Sequence, residues 1–159
     1  MNTFLIESPV GPIICRMQDE LIEELVFATR SVRTRAPQSA AEKEVARQLK
    51  EYFSGKRRAF ELPLIIRGTD FQQRVLRELW HIEYGETISY ADLALRAGAP
   101  KAVRAVANVM ASNKIPVILP CHRIIASDGG LGGYSGGLRK KKFLLGLESI
   151  QEERLVEVA

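Results

Sequence analysis

Cysteine and histidine are scarce in this chain, two of each among 159 residues. Cys15, Cys121, His81 and His122 form no C-x-x-C or other ligand-like pattern, so no metal is expected, and nothing else in the sequence asks for a cofactor. Two cysteines cannot staple a scaffold, and none is needed. At 46% hydrophobic composition the chain can bury one sizeable core, or two small ones. Long apolar runs are also missing. The longest, Ile115 to Cys121, is far too short to cross a bilayer, and the opening Met-Asn-Thr-Phe-Leu lacks the layout of a signal peptide. A cytoplasmic monomer with free thiols and no membrane partner is the expectation.

Acidic charge is nearly absent from one long stretch. From Pro100 to Leu147 only Asp128 is acidic, against Lys101, Arg104, Lys114, Arg123, Arg139, Lys140, Lys141 and Lys142, in a chain of net charge +4. Arg139 to Lys142 alone read as a solvated helix start. The wider imbalance is compatible with a surface that faces phosphates.

The first third reads as β-rich. Thr3 to Glu7, Pro12 to Met17 and Leu21 to Phe27 are short β-branched or apolar runs, most simply joined as an antiparallel meander. Ser39 to Phe53 has helical spacing and closes at Gly55, and residues 54–66 read as a connector. Thr69-Asp70-Phe71-Gln72 is a capping box that opens a helix lined by Phe71, Val75 and Leu79. Ser89-Tyr90-Ala91-Asp92 predicts a second box and a helix to Gly98. Pro100 then predicts the first turn of a helix that runs to about Ser112. The two short helices read as a helix-turn-helix. On a wheel of the second, Val103, Val106 and Met110 share one face, and Lys101, Arg104, Asn108 and Ala111 another. That polar face suits either solvent or a nucleic-acid groove.

Chemistry concentrates in Pro120-Cys121-His122-Arg123. A lone buried cysteine is ordinarily inert packing, but an adjacent imidazole can take its proton, and Arg123 and the basic surroundings favour a thiolate. An imidazole acting as a base needs a partner on its other nitrogen, and Glu148 is the candidate. A surface glutamate at a fraying helix end fits the local sequence equally well. His81 and Cys15 read as structural. The glycine pairs around Tyr134-Ser135 allow close backbone approach to a ligand or simply a sharp turn, and they lack the pattern of a phosphate loop.

Four segments, Gly68-Thr69-Asp70-Phe71-Gln72, Tyr84-Gly85-Glu86-Thr87-Ile88-Ser89-Tyr90, Pro120-Cys121-His122-Arg123-Ile124-Ile125 and Gly133-Tyr134-Ser135-Gly136-Gly137-Leu138, resemble in this order the O6-alkylguanine-DNA alkyltransferases. The resemblance covers nearly the whole chain. It implies an α/β (α+β) fold, with an N-terminal ribonuclease H-like α/β domain over 1–66 and a helical domain with a helix-turn-helix over 67–159. It also implies binding of double-stranded DNA through the minor groove, flipping of O6-alkylguanine, and one irreversible alkyl transfer to Cys121, with O4-alkylthymine as a further candidate substrate. By the same resemblance His122 is the water-mediated base, Glu148 its orienting carboxylate, Asn113 a hinge, and Tyr90 the residue that turns the phosphate and contacts the base. Arg104 is the finger that fills the gap. Lys101, Asn108, Ala111 and Arg123 join it on DNA, and Cys121, Ile124, Tyr134 and Ser135 line the base pocket. Lys114 and Asn108 depart from the common pattern, where many members have proline and glycine. Three rivals stand beside this reading. A lesion sensor would lack the cysteine, a cysteine hydrolase would need an oxyanion site that is not evident, and a plain helix-turn-helix regulator leaves Pro120 to Arg123 unexplained.

Overall fold

The computed structural model describes residues 2–28 and 34–158, with side chains described as far as Ser149. The chain divides into two compact units, Met1–Ile65 and Ile66–Ala159.

In the first unit β1 (Asn2–Ile6), β2 (Ile13–Gln18) and β3 (Leu21–Phe27) form the expected antiparallel meander, in the order β1-β2-β3. Alternation decides its buried face: Phe4, Ile6, Ile13, Cys15 and Met17 are inside, and Phe4 pairs with Cys15. An irregularity between Arg16 and Met17 shifts the partner strand by one, which lets Ile22 as well as Leu25 reach the core. Burial pushes the Cys15 thiol up to about 12, as befits a packing residue rather than a nucleophile.

α1 (Ala40–Phe53) starts at a capping box of Ser39 with Glu42 and buries Val45, Leu49, Tyr52 and Phe53. The Arg35 guanidinium grips both oxygens of buried Glu42 at 2.7 Å, and together with the cap amides it holds that carboxyl at about 2. Residues 54–66 are more than a connector. Ile22 donates to the Pro63 carbonyl at 2.9 Å and accepts from Ile65 at 2.8 Å, so the segment extends the sheet beside Leu64.

In the second unit α2 (Asp70–Trp80) opens at the Thr69–Gln72 capping box and buries Val75, Leu76 and Leu79, while Phe71 is only half-buried. The Ser89 cap of α3 (Tyr90–Arg96) is half a box: its hydroxyl accepts from the Asp92 amide, but no reciprocal bond forms. α3 ends in a Schellman turn, with Gly98 donating to Leu95 and Ala99 to Ala94. Gly98 takes the left-handed φ of 76° that this turn demands.

The next helix starts later than the sequence suggests. α4 is Val103–Ala111, and Pro100 lies instead in a turn closed by the Ala102 amide on the Ala99 carbonyl. Its N-cap, Ala102, has no side chain able to satisfy the free amides, so nothing local fixes the start three residues earlier. α2, α3 and α4 pack on one another. A two-residue parallel pair then joins β4 (Ile88–Ser89) to β5 (Ile124–Ile125), and α5 (Leu138–Val158) closes the unit. Each fully buried Ile or Leu of this core, such as Leu79, Leu93, Ile115 and Leu144, contributes roughly 1.5–3 kcal/mol of burial free energy.

The β2–β3 hairpin turns through Asp19 at φ 52° and Glu20 at φ 64°. A left-handed non-glycine residue costs roughly 1–2 kcal/mol, more than the roughly 0.4–1 kcal/mol by which glycine favours the unfolded chain. Glu20→Gly should therefore stabilise the protein by about 0.5 kcal/mol, read as a higher urea midpoint at unchanged slope.

Candidate active site

The sulfur is placed by an unusual piece of backbone. Val117, fully buried and β-branched, adopts φ 74°, a conformation such residues avoid at a cost of order 1–3 kcal/mol. Asn113 holds the segment in place. Its Nδ2 donates to the Leu119 carbonyl at 2.9 Å and its Oδ1 accepts from the Ile115 amide at 3.0 Å. The chain then enters a single 3-10 turn, Cys121–Arg123, and runs straight into β5. Because β5 pairs with β4, and β4 leads directly into α3, Tyr90 at the head of α3 is brought beside Cys121.

Cys121 opens on a cavity of about 400 Å³ lined by Tyr90, Ala107, Met110, Ala111, Gly133, Tyr134 and Ser135. Ile124, whose backbone is expected there, is not among these lining residues; its side chain is fully buried and its carbonyl accepts Lys141 Nζ at 2.7 Å. Ala107, Met110 and Gly133 were not anticipated. Two of them lie one turn apart from other small or apolar positions on α4, a signal that the wheel contains but that reads equally as ordinary core. Lys101, Arg104, Asn108 and Ala111 are all exposed, with Ala111 reaching both the outer face and the cavity. Gly132, at φ 70°, lies so close to Tyr90 that an added Cβ would stand 2.8 Å from its hydroxyl.

The residues that follow Cys121 in its turn begin a chain of buried polar groups. Glu148 Oε2 accepts from His122 Nε2 at 2.7 Å. A carboxylate can only accept, so that nitrogen carries the hydrogen and Nδ1 is the ring's free acceptor. Nδ1 is itself buried and has no hydrogen-bond partner among the described residues.

Arg123 is not where the sequence reading put it. Expected on DNA and as support for a thiolate, it is buried, bonds Glu148 through Nε at 2.9 Å and Nη2 at 3.0 Å, and donates Nη1 to the Ile82 carbonyl at 2.6 Å. A guanidinium so engaged is unavailable to phosphate. The cation that acts on Cys121 is Lys141, fully buried, with Nζ donating to the Ile124 and Gly133 carbonyls at 2.7 and 2.9 Å. Read as part of a solvated basic run, it in fact shares the inner face of α5 with Leu144 and Glu148, at offsets of three and seven, which a wheel of that helix makes visible.

Burial pushes the Cys121 thiol up to about 11, against the opposing pull of the Asn113 hydrogen bond and of Lys141. The resting sulfur is thus a thiol that needs a base. Burial holds His122 below its ordinary value despite Glu148, with Arg123 and Lys141 acting in the same direction as burial. Desolvation opposes ionisation of Glu148, but its hydrogen bonds to His122 and Arg123 and the charge of Arg123 outweigh it and hold the carboxyl at about 2.

Residues 70–150 match the family described as 6-O-methylguanine DNA methyltransferase, DNA binding domain, and residues 2–66 match its ribonuclease-like domain. The chain belongs to the 6-O-methylguanine DNA methyltransferase family. Among the similar proteins of this family, the methylated-DNA--protein-cysteine methyltransferase of Methanosarcina barkeri is 45% identical over 91% of this chain and 94% of its own. The constitutive protein of that name from Bacillus subtilis is 39% identical over 91% and 93%. A crystal structure of Mycobacterium tuberculosis OGT in complex with DNA matches with a TM-score of 0.87 and 40% identity, covering 95% of this chain and 94% of that one. The fold is thus that of a 6-O-methylguanine DNA methyltransferase, mixed α/β with an N-terminal sheet domain and a helical C-terminal one.

The Glu148 network makes a stability prediction. Glu148→Gln leaves the Arg123 guanidinium buried without a counter-charge and should cost about 3–5 kcal/mol in urea unfolding at pH 7. The pH dependence follows from two depressed values. His122 binds a proton less readily folded than unfolded, so its contribution is complete above the ordinary imidazole range and falls as the pH drops through it. The contribution of Glu148 is lost lower down, from the ordinary carboxylate range toward about 2. Wild-type stability should therefore decline continuously from pH 7 to acid, and His122→Gln should flatten the upper part of that decline.

Proposed function

We propose that the chain repairs double-stranded DNA by moving the alkyl group of O6-alkylguanine onto Cys121, once per molecule. The observation that carries this is that Cys121, at the wall of an open cavity, shares one 3-10 turn with His122, whose Nε2 is bound to the buried Glu148. A cavity beside an exposed cationic helix face suits a base swung out of a duplex better than a freely diffusing substrate. The names of the relatives point to the same reaction.

In this reading α4 faces the minor groove. Lys101 in the turn before it and Asn108 and Ala111 along it meet that groove, Arg104 fills the space of the flipped nucleotide, and Tyr90 turns the phosphate and meets the base. Tyr134 and Ser135 hold the guanine, and Asn113 acts as the hinge that fixes the sulfur. Cys121 Sγ attacks the alkyl carbon in line, forming an S–C bond as the C–O6 bond breaks. The thiol proton passes through a water to His122 Nδ1 and ends on the departing guanine, so neither cofactor nor metal enters the balance. The thioether is a poor leaving group, which makes the step irreversible. A protein that depends on a free thiol is suited to a reducing, cytoplasmic compartment, and one sulfur with its own cavity suffices for each transfer, so a monomer is enough. Among the described residues no helix is long and apolar enough to cross a membrane.

Intact mass and peptide mapping after incubation with a duplex holding one O6-methylguanine provide the test. The peptide containing Cys121 should gain one methylene mass, and Cys121→Ala should gain none. Tight lesion binding without any mass gain would replace this reading with that of a sensor. Arg104→Ala should slow transfer from duplex about ten- to a hundredfold, the loss of roughly 1–3 kcal/mol of flipping support, and leave transfer from free O6-methylguanine base unchanged. Gly132→Ala should slow both by about a hundredfold, because it displaces Tyr90 within the cavity itself.

A further inference from the structure

His122 and Arg123 are consecutive residues of one turn, yet both reach the same carboxylate oxygen. His122 Nε2 stands 2.7 Å and Arg123 Nη2 3.0 Å from Glu148 Oε2, while Arg123 Nε takes Oε1 at 2.9 Å. The Gly85 amide also reaches Oε1, at 3.5 Å. If Arg123 only anchored the turn, its bond to the Ile82 carbonyl and its place 5.7 Å from the Tyr84 ring would suffice. Sharing Oε2 does something different.

A neutral imidazole beside a lone buried carboxylate is drawn into the protonated state, because one added proton cancels the buried charge. Beside a carboxylate already neutralised by a bidentate guanidinium, the same imidazole keeps its hydrogen bond and tautomer without that pull. The charged groups that act on His122 are Glu148 and Lys141 from α5 and Arg123 from its own turn. The thiol of Cys121 and the phenol of Tyr134, both pushed up by burial, are uncharged at neutral pH. Arg123 and Lys141 thus offset the single carboxylate.

We propose that Arg123 is a positioning residue that keeps His122 unprotonated at rest, so that Nδ1 is free to accept when the Cys121 proton must leave. This rests on the reading of His122 as proton acceptor, and it assigns Arg123 a part in proton transfer rather than in DNA contact. Burial, acting with the two cations, already sets His122 below its ordinary value. Loss of Arg123 removes one cation and restores the full pull of Glu148.

Side-chain 15N–1H NMR reads the imidazole directly. In a His81→Gln background, where the exposed His81 is gone, the remaining histidine signal is that of His122. Wild type should show a neutral Nε2–H tautomer that does not titrate between pH 8 and 6. In Arg123→Met the protonation midpoint should rise by about one unit or more. Arg123→Gln, which removes the charge but keeps a polar side chain, should show the same rise and serves if the methionine variant does not fold. Arg123→Lys should restore most of the neutral form.

The transfer rate of the uncharged variants should be lowest in acid and recover with rising pH, the deficit relative to wild type shrinking by about tenfold or more between pH 6 and 9. An unchanged His122 midpoint, or a rate deficit uniform across pH, would overturn the proposal and leave Arg123 as scaffolding. Absence of S-methylcysteine in wild type would sink the transfer reading instead, and the NMR midpoint would still decide the role of Arg123.

Discussion

One buried carboxylate organises the second unit. Glu148 is 1% exposed, and a charge so placed is tolerable only if its surroundings answer it. They do so with three groups from two segments: His122 and Arg123 from the 3-10 turn, and the Gly85 amide from the turn before β4. Those bonds fix which way the Cys121–Arg123 turn faces. The turn in turn sets the start of β5, β5 sets β4 by pairing, and β4 sets Tyr90. The wall of the cavity opposite α4 therefore follows from satisfying a single charge.

The same dependence explains what could be read in the sequence and what could not. Strand alternation and capping chemistry are local, so the meander, the Thr69 box and the Ser39–Phe53 helix are legible from a few residues each. The start of α4 is not, because Ala102 carries no capping group and a proline at 100 fits a first helical turn as well as it fits the turn it occupies. Cys121, His122 and Glu148 could be proposed from residue type and neighbourhood. Arg123 and Lys141 were misread for one shared reason. A basic residue in a basic stretch is solvated by default, and only tertiary partners distant in sequence, the carboxylate 25 residues on for Arg123 and the carbonyls of Ile124 and Gly133 for Lys141, overturn that default.

Two further features concern precision rather than identity. A left-handed valine is a poor choice for a loop that only has to connect, since glycine would adopt the conformation freely. Val117 is kept in it by its own complete burial and by the two Asn113 hydrogen bonds on either side. The backbone that delivers the sulfur is thereby rigid at the point where the proposed in-line displacement is least tolerant of error. Lys141 adds a second brace, tying β5 to the glycine-rich loop through two carbonyls.

The raised Cys121 value fits this architecture once the reaction is considered as a single event. A standing thiolate would be reactive toward any oxidant or alkylating agent that entered the cavity. Burial that pushes the thiol up to about 11 keeps that population small at neutral pH. The cost, in the proposed transfer, is that the sulfur needs a base, and that base must arrive uncharged. A histidine paired with a carboxylate alone would meet the first requirement and fail the second. In the proposed mechanism the guanidinium lying across the same carboxylate reconciles them: Glu148 holds the tautomer of His122 by its hydrogen bond, while its charge, already answered by Arg123, no longer favours the imidazolium.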